Sequence, residues 1–157
     1  MSAIVARMVE VCVFRMVKDR PEYLLLRRAA DEEVYPGLWQ IVTGTIEEGE
    51  TALHAALREM KEETGLAATH FWVVPFTGTF YDHRRDAVNL VPFFAAQVGG
   101  SDMPCLSTEH SVCVWLPLVQ ARNRLVWPGQ RAGLSVVHES LVAGEEAASL
   151  SEIPLPR

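Results

Sequence analysis

No run of about 18 apolar residues occurs in the 157-residue chain, so the sequence offers no candidate membrane-spanning helix. Cysteine is scarce as well: Cys12, Cys105 and Cys113 form neither a CxxC pair nor the even set that a disulfide framework requires. That usage fits a reducing compartment, and the cytoplasm is the expected location. Positive charge is also in short supply. The 14 Lys and Arg stand against 20 Asp and Glu, a formal charge of -6, which argues against broad electrostatic binding to nucleic acid or to an acidic membrane surface. An anionic substrate therefore needs local help. What the chain does have is apolar content, 49% hydrophobic, enough for one core but in a length too short for two domains. Monomer and homodimer are both compatible with these figures.

The apolar opening MSAIVARMVEVCVF is interrupted by Arg7 and Glu10, followed by Arg15, and has no small-residue cleavage site after it. It reads as a buried strand over 4–17 rather than as a signal peptide. A turn at 18–21 then predicts a hairpin with a second strand over 23–28. The loop 29–38 contains Pro36-Gly37 and delivers a short strand, 39–42, that ends at Thr43-Gly44. After the acidic loop 47–50, a helix is predicted from about Thr51 to Thr64. Strand signals follow over 71–81, 87–98 and 111–116, separated by His83-Arg84-Arg85 and by the turn at 99–102. A last helix is predicted over about 128–141. The pattern indicates an α/β fold, a mixed sheet flanked by helices, in a single domain over 1–142. Residues 143–157 are rich in Ala, Glu, Ser and Pro with little periodicity, and are expected to form a partly disordered tail.

On a helical wheel at about 100° per residue, Glu59, Glu62 and Glu63 share a stripe roughly 100° wide. Leu53, Ala56, Leu57, Met60 and Thr64 occupy the neighbouring sector and form the face expected to pack on the sheet. Ala52 and Ala55 fall on the carboxylate side, where small side chains would leave room for a ligand. Thr51 or Glu50 can cap the start, and Gly65 stands where a left-handed residue ends a helix. A solvated acidic face is the bland account of the three acids. Like charges at these spacings cost a helix roughly a few tenths of a kcal/mol each, with only Arg58 and Lys61 near enough to offset them. A hard divalent cation such as Mg²⁺, which prefers oxygen ligands, turns that cost into binding.

The acids belong to a longer pattern: Gly44, five residues, Glu50, seven residues, Arg58-Glu59, then Glu62-Glu63 and Gly65-Leu66. This resembles the box of the Nudix (MutT-like) hydrolase superfamily in every fixed position. The resemblance implies the Nudix fold, an α/β/α sandwich, and hydrolysis of a nucleoside diphosphate linked to another group, with Mg²⁺ or Mn²⁺ as cofactor. It implies Glu59 and Glu63 as direct metal ligands and Glu62 as a further ligand or a base acting through water. It also implies a supporting ion pair between Glu50 and Arg58, and a metal-facing carbonyl at Gly44. Attack of water on a polyphosphate needs neutralised phosphoryl oxygens and a nucleophile held in line, which suits such a set.

Two further segments narrow the resemblance. Trp39-Gln40-Ile41-Val42-Thr43-Gly44 departs from the family's common Pro-Gly-Gly ending and is similar to the Val-Thr-Gly of bacterial dihydroneopterin triphosphate diphosphatases, which also act on dATP. Ser107-Thr108-Glu109-His110 with Trp115-Leu116 resembles the same subgroup, and implies that Glu109 completes the metal site, with His110 as its structural neighbour. Arg27 and Thr43 resemble that subgroup's substrate-contacting positions, against the alternatives of a solvated strand-end charge and a turn hydroxyl. Trp39 can stack on a base or pterin, or simply pack. His83, Arg84 and Arg85 can grip phosphates or form a charged hairpin tip. Tyr81, sixteen residues after Gly65, instead resembles a marker of dinucleoside polyphosphate hydrolases. The subgroup's N-terminal Lys has no match near Ala6 and Arg7. Three readings result: a pyrophosphohydrolase of nucleoside or dihydroneopterin triphosphates, a dinucleoside polyphosphate hydrolase, and a Nudix-fold nucleotide-binding module without catalysis.

Overall fold

Along Met8–Val17 the side chains of Val9, Val11 and Val13 enter one core and those of Cys12 and Phe14 enter another, the alternation of a strand buried on both faces. In the computed structural model, which describes residues 1–156, this strand (β2) is the spine of an eight-stranded mixed sheet. Arg157, the last residue of the expected tail, lies outside the described residues. β2 turns back antiparallel onto β3 (Arg20–Arg28) through Lys18 and Asp19, both at positive φ, a two-residue turn whose twist matches that of the strands it joins. On its other side β2 runs parallel to β7 (Ala87–Val98), which is hairpinned to β6 (His70–Asp82). β8 (His110–Leu116) lies antiparallel to β3.

Two predicted strands are each divided. The stretch 4–17 forms β1 (Ala3–Val5), which pairs parallel with β7 from Ala3 opposite Ala87, and then β2, whose pairing with β7 starts at Glu10 opposite Phe93. The pairing slips by one residue between these points, and the strand breaks at Ala6-Arg7 to absorb the slip. The stretch 39–42 forms β4 (Trp39–Gln40), bonded to β3, and β5 (Val42–Thr45), bonded to β2, with the buried Ile41 as the crossing point.

Helices cover both faces of the sheet. α1 (Ala52–Thr64) places Ala55, Ala56 and Met60 against Val9, Val11, Leu24, Leu26 and Val42. The opposite face is covered by α2 (Leu118–Arg124) and α3 (Pro128–Val136), the latter continuing as a π-helical turn, Val137–Val142. Ala121, Leu134, Val137 and Leu141 pack there on Cys12, Phe14, Tyr23 and Leu25. α2 has no clear sequence signal, since its seven residues LVQARNR are too few and too polar to show a periodic face. The expectation of a partly disordered tail meets a different arrangement: α4 (Glu146–Ser151) lies by β6, with the Trp72 indole donating to the Ala148 carbonyl at 3.1 Å and the Ile153 amide donating to the Phe71 carbonyl at 2.7 Å. Backbone bonding to a sheet edge needs no side-chain periodicity, so composition carries no sign of it.

α3 approaches β7 closely because Gly133 has no side chain. A Cβ there would stand 3.0 Å from Cδ2 of Phe93 and nearer still to its Cε2 and Cζ. Gly133→Ala is therefore expected to lower stability by about 1–3 kcal/mol through overpacking. Thermal or urea unfolding checks this, and an unchanged midpoint would refute the close approach.

Candidate active site

The site is built on α1 and the loop before it. Thr51 caps α1, its hydroxyl accepting from the His54 amide at 3.2 Å, and Gly65 closes it at φ 68°. Glu59, Glu62 and Glu63 emerge from the last two turns, but they have unlike surroundings. Glu63 is 2% exposed, and neither of its carboxylate oxygens has a hydrogen-bond partner among the described residues. Burial, then the charges of Glu59 and Glu109, push its pKa up to about 9. Glu59 is also shifted upward, by burial first, with Arg58 opposing. The Glu62 side chain is 58% exposed and accepts from Arg58 at 3.3 Å.

Arg58 binds this end of the helix to the preceding loop. Its Nε and Nη2 donate to the two oxygens of Glu50, both at 2.8 Å; Nη2 also donates to the Thr45 carbonyl at 2.9 Å, and Nη1 to Glu59 at 2.9 Å. The bidentate bond holds the Glu50 carboxyl at about 2, well below its ordinary range. Glu47 lies 3.8 Å from the same guanidinium. Gly44 packs directly on Glu59: a Cβ there would overlap Cγ and Cδ of Glu59 and come within 2.6 Å of its Oε1, so a larger residue would displace the Glu59 carboxylate.

Glu109 enters from the other side, on the loop before β8, where its carbonyl accepts from the Ala29 amide at 2.8 Å. Ligand atoms of Glu63, Glu109 and His110 all lie within 4.8 Å of one another. His110 is buried and its Nε2 stands 2.9 Å from Nε2 of the buried Gln40, while Nδ1 is unpartnered. Burial lowers its pKa to about 4, so the ring is neutral near pH 7. Gln40 was not singled out by sequence reasoning; its only signal was a polar residue in an otherwise apolar strand.

The remaining candidates fall into place less tightly. Arg27 is exposed on β3 and donates to the Gly37 carbonyl at 3.1 Å, next to Trp39 in register. Trp39 packs at the edge of the α3-side core with the Arg124 guanidinium 5.0 Å from its ring centre. The Thr43 hydroxyl donates to the Ile41 carbonyl and accepts from Gln130. Arg84 and Arg85 fold onto Asp82, as in a charged hairpin tip, and the Tyr81 hydroxyl donates to Asp86 at 2.9 Å within the same hairpin. The expected ligand space beside Ala52 and Ala55 is not there: Ala55 is fully buried and Ala52 packs on the same core. Their small side chains serve instead to let α1 approach the sheet.

The buried, unpartnered oxygens of Glu63 with Glu59 and Glu109 nearby are hard donors of the kind that Mg²⁺ or Mn²⁺ takes. A carboxyl with a raised folded pKa carries no penalty below the ordinary value of 4.5; the penalty grows as pH rises and is complete above about 9. In chelator-treated protein, Glu63→Gln is therefore expected to raise stability above pH 7, by on the order of a few kcal/mol, and to change little near pH 4. Melting curves across pH check the sign, and equal loss at both ends would contradict it.

Comparison with known proteins agrees with this geometry. The NUDIX domain family model matches residues 6–135. The nucleoside triphosphatase NudI of Klebsiella pneumoniae is 40% identical over 130 residues, covering 77% of this chain and 91% of that protein. The dihydroneopterin triphosphate diphosphatase of Escherichia coli is 47% identical over 57 residues, 36% of this chain and 35% of its own length. The chain spans about a third of that protein and of a Myxococcus xanthus octanoyltransferase that it also matches. A Caenorhabditis elegans Ap4A hydrolase complex superposes with a TM-score of 0.74 at 22% identity, covering 90% of this chain and all of that one, which is a likeness of fold. With the box in place on α1 and the family match running through both sides of the sheet, the chain belongs to the NUDIX family.

Proposed function

We propose that the chain is a Mg²⁺-dependent hydrolase that cleaves a pyrophosphate bond of a nucleoside triphosphate or of dihydroneopterin triphosphate and releases pyrophosphate. The observation that carries this reading is the buried Glu63 carboxylate, unpartnered and surrounded by Glu59 and Glu109, at the foot of a helix held in position by Arg58. An acid so placed lowers stability, and a divalent cation removes the cost. Glu59, Glu63 and Glu109 would hold the metal, with the carbonyl of Gly44, a residue that packs against Glu59, assigned as a further donor. A bound metal supplies charge neutralisation on phosphoryl oxygens and an activated water.

The protein's own groups account for the rest. Glu50 and Arg58 keep the loop and the acids in fixed relation, so that little reorganisation is needed when the substrate arrives. Glu62, exposed and only weakly held, is the acid best able to move and accept a proton from water. Arg27 and Thr43 are assigned to substrate contact and Trp39 to stacking. The similarity to proteins named dihydroneopterin triphosphate diphosphatase and nucleoside triphosphatase supports the substrate class.

A dinucleoside polyphosphate hydrolase is the second reading, supported by the fold likeness to the Ap4A hydrolase. Tyr81 adds little to it, because its hydroxyl is engaged by Asp86. A substrate panel with Mg²⁺ separates the two: the first requires pyrophosphate from a triphosphate, and its absence from every triphosphate tested would overturn it. Glu59→Gln and Glu63→Gln are each expected to lower turnover by orders of magnitude with the fold intact by circular dichroism. Near-normal turnover in both would mean that the metal site lies elsewhere. A module without catalysis would hydrolyse nothing in the panel while still binding nucleotide.

A further inference from the structure

On the face of the sheet away from α1, three polar side chains meet: Glu10 of β2, Thr43 of β5 and Gln130 of α3. Glu10 and Thr43 are register partners, so their side chains are neighbours on one face. The Thr43 hydroxyl gives its proton to the Ile41 carbonyl at 3.0 Å. It can therefore only accept from Gln130, whose Nε2 stands 3.3 Å away. That orients the amide and turns its Oε1 away from Thr43. Gln130 is 3% exposed and its side chain also bonds to the Glu10 carboxyl, yet among the described residues neither its Oε1 nor the buried Oε2 of Glu10 has a donor. Two acceptors without donors in one interior cluster are uncommon and costly, and no part of the metal chemistry uses them.

Their position relative to the acids is informative. Thr43 faces this cluster, and the next residue, Gly44, lies against Glu59 on the other face. β5 pairs with β2 alone among the described strands, which leaves its far edge open. An extended substrate can pass around that edge, with its phosphates toward Glu59 and Glu63 and its ring toward Glu10 and Gln130.

We propose that Glu10 and Gln130 recognise the ring of the substrate through two adjacent N–H donors, the 2-amino-4-oxopyrimidine edge that guanine and pterins share. This rests on reading the site as a triphosphate hydrolase. Guanine offers a ring N–H and an exocyclic amino group side by side, and a pterin ring does the same, which two acceptors match. The adenine and cytosine edges place a ring acceptor beside the amino group, and one of the two protein acceptors would face it without a proton between them. Uracil presents a single donor between two acceptors.

Two experiments test this. In the first, kcat/KM with Mg²⁺ at about pH 8.5 is compared for GTP, dGTP and dihydroneopterin triphosphate against ATP, dATP, CTP and UTP. The first three are expected to lead by at least about tenfold, the discrimination of one bidentate pair. The ratio of GTP to dihydroneopterin triphosphate then tells which of the two sources fits better. Glu10→Gln, and independently Gln130→Met should the first variant fail to fold, are expected to shrink that lead to within about threefold. A flat panel, an adenine preference, or an undiminished lead in a folded variant overturns the proposal.

In the second, calorimetry compares GDP with ADP on the Glu62→Gln protein, where turnover does not interfere. Selective binding of GDP, with no triphosphate hydrolysed at a measurable rate by the unsubstituted protein, would retain this inference and remove the activity reading. Equal binding of GDP and ADP would remove this inference and leave the activity reading intact.

Discussion

The guanidinium of Arg58 is the constraint on which the rest of the site depends. All five of its N–H groups point at acceptors: Glu50 twice, Glu59, Glu62 and the carbonyl of Thr45. The contacts join three pieces of chain that composition alone would drive apart, the acidic loop before α1, the end of β5 and the acidic stripe of the helix. Lysine, a point charge, could not make this set, because the fork geometry is what lets one residue bind two oxygens of Glu50 and still reach Glu59. With the loop fixed in this way, Gly44 is brought against Glu59, and the absence of a Cβ there leaves the Glu59 carboxylate its place beside the strand.

Beneath this ion-pair layer lies the opposite arrangement. Glu63 is buried with no hydrogen-bond partner for its oxygens among the described residues, and Glu59 and Glu109 raise the cost of ionising it more than the charge of Arg28 lowers it. The helix tolerates it because both of its ends are well capped and its other buried residues, Ala55, Ala56 and Met60, are packed on the sheet. Local instability of this kind is common where chemistry requires a charge that folding would rather exclude. His110, held by Gln40 and kept neutral by burial, closes the cluster without adding charge.

The sheet separates two environments. One face carries α1 and the acids; the other carries α2 and α3 over a core whose polar groups include the Tyr23–His138 pair and the cluster of Glu10, Thr43 and Gln130. β5 belongs to both, presenting Thr43 to one side and Gly44 to the other. A fold of this type is shared by proteins that bear different activities, so the choice of substrate has to come from the side chains of such a strand and not from the architecture.

The sequence by itself determined the helix from Thr51 to Thr64, its caps and the spacing of its acids, because all of these are local: a helix converts spacing into direction, and the box lies within 23 consecutive residues; the Glu50–Arg58 pair was implied by the family resemblance. The α/β class and most strands were legible for the same reason, since period-two alternation is a local signal. Tertiary structure alone decided which of the acids is buried, that Gln40 holds the His110 ring beside Glu63, and that Ala55 faces the core; the meeting of Glu109 with the helix acids, from more than 40 residues away, was implied only by the family resemblance. It also decided where the strands over 4–17 and 39–42 break, because pairing slips depend on the neighbouring strand. Glu10 and Gln130, 120 residues apart, carry no motif; only the packing of α3 on the sheet brings their unpartnered oxygens into one cluster.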